Sequence, residues 1–303
     1  MIRPTSPHTL QGILLGGAGA IAFSGKAIIV KLSYRYGVDA VTVIMYRMLF
    51  ALPLFLALSW WAGRGKPALT GAHWRVLGAL GFSGYYLASF LDFSGLQYIS
   101  ANLERLILYL NPTIVLGVSA LLYHVRVMRR QVAALAVSYV DVAVVFGHDL
   151  SVSGSHVVLG SLLVLGSAVS YALYLAFSGP VVKRLGALRI TGVATSIACV
   201  LCIAQFFVLR PASAMVVAPE VIGLSVLNAT LCTFVPVLFV MLAVERVGAP
   251  LAAQLSTVGP IATAIMSALI LDEPFTVWVA VGTVLVLVGI WLLTRRTEPA
   301  LAK

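Results

Sequence analysis

The chain has 303 residues, 61% of them hydrophobic and 10% charged, with a mean hydropathy of +1.04. That is more apolar surface than a water-soluble fold of this length can bury, so the composition excludes a soluble enzyme or scaffold and places the chain in a bilayer. The net charge of +10 raises the question of a nucleic-acid partner, which the distribution of the charges answers.

A span needs about 20 apolar residues, and such windows occur at 10–30, 40–61, 74–96, 101–123, 127–146, 157–182, 190–209, 221–244, 249–271 and 275–294. The first lies behind Arg3 alone, exceeds a signal h-region and lacks a cleavage site, so it reads as a retained helix. With the N-terminus in the cytoplasm, one side of the membrane carries Arg3, Arg64, Lys66, Arg75, Arg126, Arg129, Arg130, Lys183, Arg184, Arg189, Arg246, Arg295, Arg296 and Lys303. The other side holds only Lys31, Arg35 and Arg210. The positive-inside rule therefore puts both termini in the cytoplasm, and the basic balance is topology rather than a nucleic-acid face. Cys199, Cys202 and Cys232 fall inside spans, where they act as small apolar residues. No His or further Cys accompanies them to make a metal or redox motif.

Two stretches repeat. Residues 98–146 laid over 246–294, at an offset of 148, match Ala101 to Ala249, Leu103 to Leu251, Pro112 to Pro260, and Ser119-Ala120-Leu121 to Ser267-Ala268-Leu269. This is the signature of a tandem duplication. Five spans per unit is an odd number, so the two units run antiparallel about an axis in the membrane plane. The loops after the repeated stretches agree, since Val125 to Arg130 is basic and Asp272-Glu273-Pro274 is acidic. The expected fold is an all-α polytopic membrane protein of ten transmembrane helices in two inverted five-helix repeats. The repeats would occupy residues 1–147 and 157–296, joined by an extracytoplasmic linker, 148–156, that contains Ser and Gly.

Pro112 and Pro260 lie near mid-span. A proline there frees a carbonyl one turn earlier and bends the helix, which a bilayer tolerates where protein or water satisfies the group. The two kinks either open a central cavity or serve packing; Pro53 and Pro236 fit packing. Lys26, Arg47, Asp92, Glu104, Arg105 and Asp141 are ionisable residues within spans, all in the first repeat and all in its outer half. A charge at such depth costs on the order of 2.5 kcal/mol or more, so mutual pairing is expected. Two readings stay open for this set: a bracing network, or an outer gate that answers to protons. Uncharged polar residues complete a candidate cavity. Tyr85, Ser89 and Asp92 share a face of span three; Ser167, Ser170, Tyr171 and Tyr174 share one of span six. Span four offers Glu104, Leu108, Asn111 and Val115; span eight Asn228, Thr230 and Thr233; span nine Gln254 and Thr257. The competing role for each is an interhelical hydrogen bond.

The Pro-centred fourth span running into Ser-Ala-Leu in both copies, the Asp272-Glu273-Pro274 turn and the Gly-containing segment Val281 to Leu293 resemble the EamA family of the drug/metabolite transporter superfamily. Within it the chain is most similar to YddG-type exporters of aromatic amino acids. The first repeat departs from the pattern: His124-Val125-Arg126 replaces the acidic turn, and Asp141 stands where the second repeat has Gly289. The resemblance implies a secondary carrier with a central cavity lined by spans one, three, four, six, eight and nine. Spans five and ten would be peripheral, which sets Asp141 aside from transport.

The expected function is export of small, neutral, aromatic or aliphatic amino acids across the bacterial inner membrane by alternating access. Other small organic metabolites, nucleoside-like compounds or drugs are the alternative substrates. An intramembrane enzyme is the alternative of another class, but Asp92 and Asp141 lack a GxGD context and the chain has no HExxH or GxSxG. A channel would need a pore-loop signature, and a primary pump a P-loop. No catalytic residue, metal or cofactor is expected. The expected partners are the bilayer and a small-molecule substrate, with proton coupling open, no nucleic acid, and a monomer or weak dimer.

Overall fold

The computed structural model describes residues 7–108, 156–247 and 259–273, with isolated positions between 110 and 121 and between 277 and 284. The fifth span, most of the tenth, Pro112, Asp141, Gln254, Thr257 and nearly all of the linker lie outside the described residues.

The described elements are helical. Helix α1 is Pro7–Tyr34 and α2 is Ala40–Gly63. Helix α3 comprises Gly71–Gly81, a π-helical turn Phe82–Leu87, and Ala88–Leu96. Helix α4 is Ala101–Leu108, α5 is His156–Leu185 and α6 is Ala187–Leu209. Helix α7 comprises Pro219–Ala229, a second π-helical turn Thr230–Phe234, and Val235–Val247; α8 is Gly259–Ile270. Six of these helices are long and apolar enough to cross a membrane. Their outward faces carry large apolar side chains such as Leu162, Phe207 and Val208, as lipid-facing helices must.

Local chemistry sets the boundaries. Asp39 caps α2, accepting from the Val41 N–H. Thr70 and His73 form a reciprocal capping box at the start of α3, with the His73 Nδ1 taking the place of the usual Glu or Gln. Pro219 opens α7, where its missing N–H is no loss. Between α5 and α6 the chain turns on Gly186 alone, at φ +84, a conformation that costs glycine little.

The sequence offset of 148 recurs in the helices. The starts of α3 and of its π-turn, Gly71 and Phe82, reappear at Pro219 and Thr230, and the starts of α1 and α2 reappear within one residue in α5 and α6. Packing obeys the same exchange. Helix α1 packs on α7 and α8, while α5 packs on α3 and α4; α2 meets α7, while α6 meets α3; α2 pairs with α6, and α4 with α8.

The α2–α6 seam is the most extensive helix pairing among the described residues. A Cβ on Gly192 would lie 2.7 Å from the Ser59 backbone nitrogen, and Phe55 and Phe206 beside it are fully buried. At one end of the molecule, Arg210 reaches Asp39 at 2.7 Å, the Tyr46 hydroxyl donates to the Met215 carbonyl, and Arg35 donates to the Leu271 carbonyl. At the other end, Arg189 donates to the Pro67 carbonyl.

Candidate functional site

Five of the six in-span charges are described, and all five are buried. Lys26 on α1 sits at the centre. Its Nζ donates to Asp92 Oδ2 on α3 at 2.5 Å and lies 3.1 Å from Glu104 Oε1 on α4. One cation thus serves two carboxylates from two other helices. Its ammonium also lies 5.4 Å from the centre of the Phe23 ring and 6.0 Å from that of Phe93, within reach of a cation–π attraction.

The arginines are held differently from the carboxylate pairing expected of them. Arg105 donates from Nε to Thr263 Oγ1 on α8 at 3.0 Å and from Nη2 to the Phe23 carbonyl at 2.9 Å. Arg47 donates from Nη2 to Ser89 Oγ at 2.9 Å and stacks 4.7 Å over the Phe93 ring. Neutral acceptors and ring faces, rather than acids, hold both guanidinium groups. The layer is also incompletely satisfied: Arg47 Nε, Asp92 Oδ1 and Glu104 Oε2 are buried without a hydrogen-bond partner, and Glu104 Oε1 has only the Lys26 ammonium. Buried polar groups normally find partners, and those that do not call for an explanation.

The polar faces read from the sequence are redistributed by the π-turns. Tyr85 lies in the first turn and faces α5, its hydroxyl 3.4 Å from that of Tyr174 and the rings edge-on at 5.2 Å. Ser89 turns instead to α2 and Asp92 to α1. An extra residue in the turn rotates the helix beyond it, so three residues spaced for one α-helical face meet three different helices. The Ser170 and Ser167 hydroxyls donate to the Ser83 and Ala88 carbonyls, both at 2.7 Å. They brace the π-turn. Tyr171 stacks on Tyr174 at 5.6 Å, making a three-tyrosine cluster with Tyr85.

In α7 the Thr233 hydroxyl donates to the Asn228 carbonyl five residues back, across the second π-turn. Thr230 turns outward and bonds the Val226 carbonyl, so it does not share their face. The Asn228 side chain is fully buried with neither its nitrogen nor its oxygen partnered. Asn111 is half-buried, with its side-chain oxygen unpartnered. Pro260 is the second residue of α8, and the residues that would carry its kink precede the described segment.

A second group was not foreseen from sequence. Asp272 takes a left-handed conformation, φ 59, one that a short polar side chain tolerates. The turn aims Glu273 at the start of α4. Its carboxylate accepts from the Ala101 N–H at 3.1 Å and from Asn102 Nδ2 at 3.2 Å, and Ser267 donates to Asn102 Oδ1 at 3.0 Å. A carboxylate at a helix N-terminus is favoured by the helix dipole. Asp39 beside Arg210 is the other clasp of this kind. Partial burial opposes its ionisation, but hydrogen bonds from Thr42 and Arg210 prevail and hold its carboxyl below the usual carboxylate range.

A bundle of apolar, membrane-length helices wrapped around a charged layer defines a multi-pass membrane protein. The EamA-like transporter family matches residues 10–147 and again 158–295, the two matches displaced by 148 residues at both ends. The chain belongs to that family. It is 29% identical over 267 residues to a Bacillus subtilis protein, Uncharacterized transporter YcbK, covering 84% of this chain and 83% of that one. It is 25% identical over 299 residues to Uncharacterized transporter YetK of the same organism, covering 95% and 89%. An Archaeoglobus fulgidus protein named as an uncharacterized transporter is 22% identical over 283 residues, covering 91% and 94%. A solved crystal structure shares the fold, with a TM-score of 0.66 over 95% of this chain and 99% of the other at 18% identity. Family and relatives alike point to a transporter rather than an enzyme.

Proposed function

We propose that this transporter is a secondary carrier that exports small neutral amino acids, aromatic ones foremost, from the cytoplasm by alternating access. Its halves would be two antiparallel five-helix repeats, ten helices in all, with both termini cytoplasmic. Domain limits of 1–147 and 157–296 belong to the same reading, as does placement in the inner membrane.

The observation that carries the proposal is the layer around Lys26. It places acids and bases side by side in the bilayer, buried, with hydrogen-bonding atoms of both signs left open. A hydrophobic or singly charged cargo has no need of such a layer, whereas a zwitterion presents a carboxylate and an ammonium together. Tyr85, Tyr171 and Tyr174 add aromatic surface with polar edges, suited to a ring-bearing side chain. The exchanged helix packing at a constant offset supports an inverted architecture, in which carriers keep the substrate between the repeats. The direction, export, rests on the resemblance to YddG-type exporters.

The test is uptake of a panel of radiolabelled amino acids into proteoliposomes, with and without an imposed pH gradient. Saturable transport of phenylalanine or tyrosine above that of empty liposomes is expected, and stimulation by the gradient would mark proton coupling. Transport of polyamines or sugar phosphates with no amino acid moved would sink the proposal.

A further inference from the structure

We infer that the Arg47 guanidinium is the receptor for the carboxylate of the transported molecule, so that the substrate class is organic carboxylates, zwitterionic amino acids among them. The inference rests on the reading that the buried layer lies on the substrate path.

Among the described residues, the layer holds three cations, Lys26, Arg47 and Arg105, and two carboxylates, Asp92 and Glu104. Lys26 contacts both carboxylates, and neither guanidinium group has a carboxylate partner among the described residues. A guanidinium buried in a bilayer with no acid against it is costly, and an anion that arrives with the cargo would offset that cost.

Arg105 is the poorer receptor, because its Nε and Nη2 already hold Thr263 and the Phe23 carbonyl. Arg47 is 5% exposed; its one hydrogen bond among the described residues is from Nη2 to Ser89, and its Nε has no acceptor. The surrounding thiols, Cys199, Cys202 and Cys232, are weak acceptors that leave it unsatisfied. The Phe93 ring 4.7 Å from the guanidinium carbon fixes the plane of the fork without using its N–H groups. A rigid guanidinium with an open donor matches the bidentate geometry of a carboxylate, which a lysine would not reproduce.

The test measures binding to the purified full-length protein in nanodiscs, by competition and by ligand-induced thermal shift. Four probes share a phenyl group: phenylalanine, 3-phenylpropionate without the ammonium, and 2-phenylethylamine and phenylalaninamide without the carboxylate. Phenylalanine and 3-phenylpropionate are expected to bind, and the other two at least tenfold more weakly. Arg47→Gln should weaken both carboxylates at least tenfold and level the four probes. Arg47→Lys should retain intermediate affinity for the carboxylates.

If Arg47→Gln does not fold, the probe series on the wild type and Arg47→Lys still decide the matter. The inference is overturned if the amine and amide bind wild type as well as phenylalanine does, if no carboxylate binds, or if Arg47→Gln or Arg47→Lys leaves carboxylate affinity unchanged. The two readings fail separately. Binding of 3-phenylpropionate that depends on Arg47, with no amino acid transported, removes the amino-acid assignment and keeps the receptor. Amino-acid transport indifferent to Arg47→Gln does the reverse.

Discussion

At Lys26 one ammonium compensates two carboxylates, and this fixes the direction of every substitution around it. Lys26→Met leaves Asp92 and Glu104 buried without a cation, a loss on the order of 3–5 kcal/mol for breaking a buried pair. We expect a lowered melting temperature and no transport. Asp92→Asn and Glu104→Gln each leave Lys26 one partner, so they should impair transport more than expression. The triple variant Lys26→Met/Asp92→Asn/Glu104→Gln restores neutrality around Lys26 and should recover the melting temperature without recovering transport. Thermal melts together with proteoliposome transport at matched protein density check this; wild-type transport in every single variant would leave the network only a bracing role. This set was legible because a charge deep in a span must be compensated, whatever the fold. The partners of Arg47 and Arg105 were not, since a hydroxyl or a carbonyl can satisfy a guanidinium and neither stands out in an apolar sequence.

Among the elements, the described helices and their starts were readable from hydropathy and the internal repeat, while the two π-turns were not. Phe82–Leu87 and Thr230–Phe234 share their position in the repeat but no residue pattern. A face drawn at α-helical spacing through Tyr85, Ser89 and Asp92 therefore fails at the turn. Helix contact distance is equally hidden, because a glycine in a span is silent about what lies against it. Gly192 and Gly78 make the contrast measurable. A Cβ at Gly192 would meet backbone of α2, which cannot step aside, whereas one at Gly78 meets nothing within 4 Å. Gly192→Ala should cost about 1–3 kcal/mol through overpacking. Gly78→Ala should be neutral or stabilising by roughly 0.5–1 kcal/mol, the usual gain for alanine over glycine inside a helix. Melts of the two variants in one detergent decide it; equal melting temperatures would mean that the α2–α6 seam is looser than the structure describes.

On the scale of the whole molecule, the two ends are held by different chemistry, and this makes the topology testable with the chain's own cysteines as a quiet background. Cys199, Cys202 and Cys232 are free and buried, so a membrane-impermeant maleimide should reach an introduced surface cysteine first. Tyr36 and Glu220 line one shallow groove between the end of α1 and the start of α7, at the end carrying the Asp39–Arg210 and Glu273–Ala101 clasps. Lys66 and Arg184 lie at the opposite end and are exposed. Because α1 and α5 start at opposite ends in an inverted repeat, Tyr36 and Arg184, which hold corresponding positions in the two copies, should face opposite sides of the membrane. In the proposed topology the Lys66 end faces the cytoplasm. Tyr36→Cys and Glu220→Cys should therefore label in intact cells, and Lys66→Cys and Arg184→Cys only after permeabilisation. Labelling of Tyr36→Cys and Arg184→Cys from the same side would mean that the two halves run parallel, related by an axis along the membrane normal, and would overturn the inverted architecture.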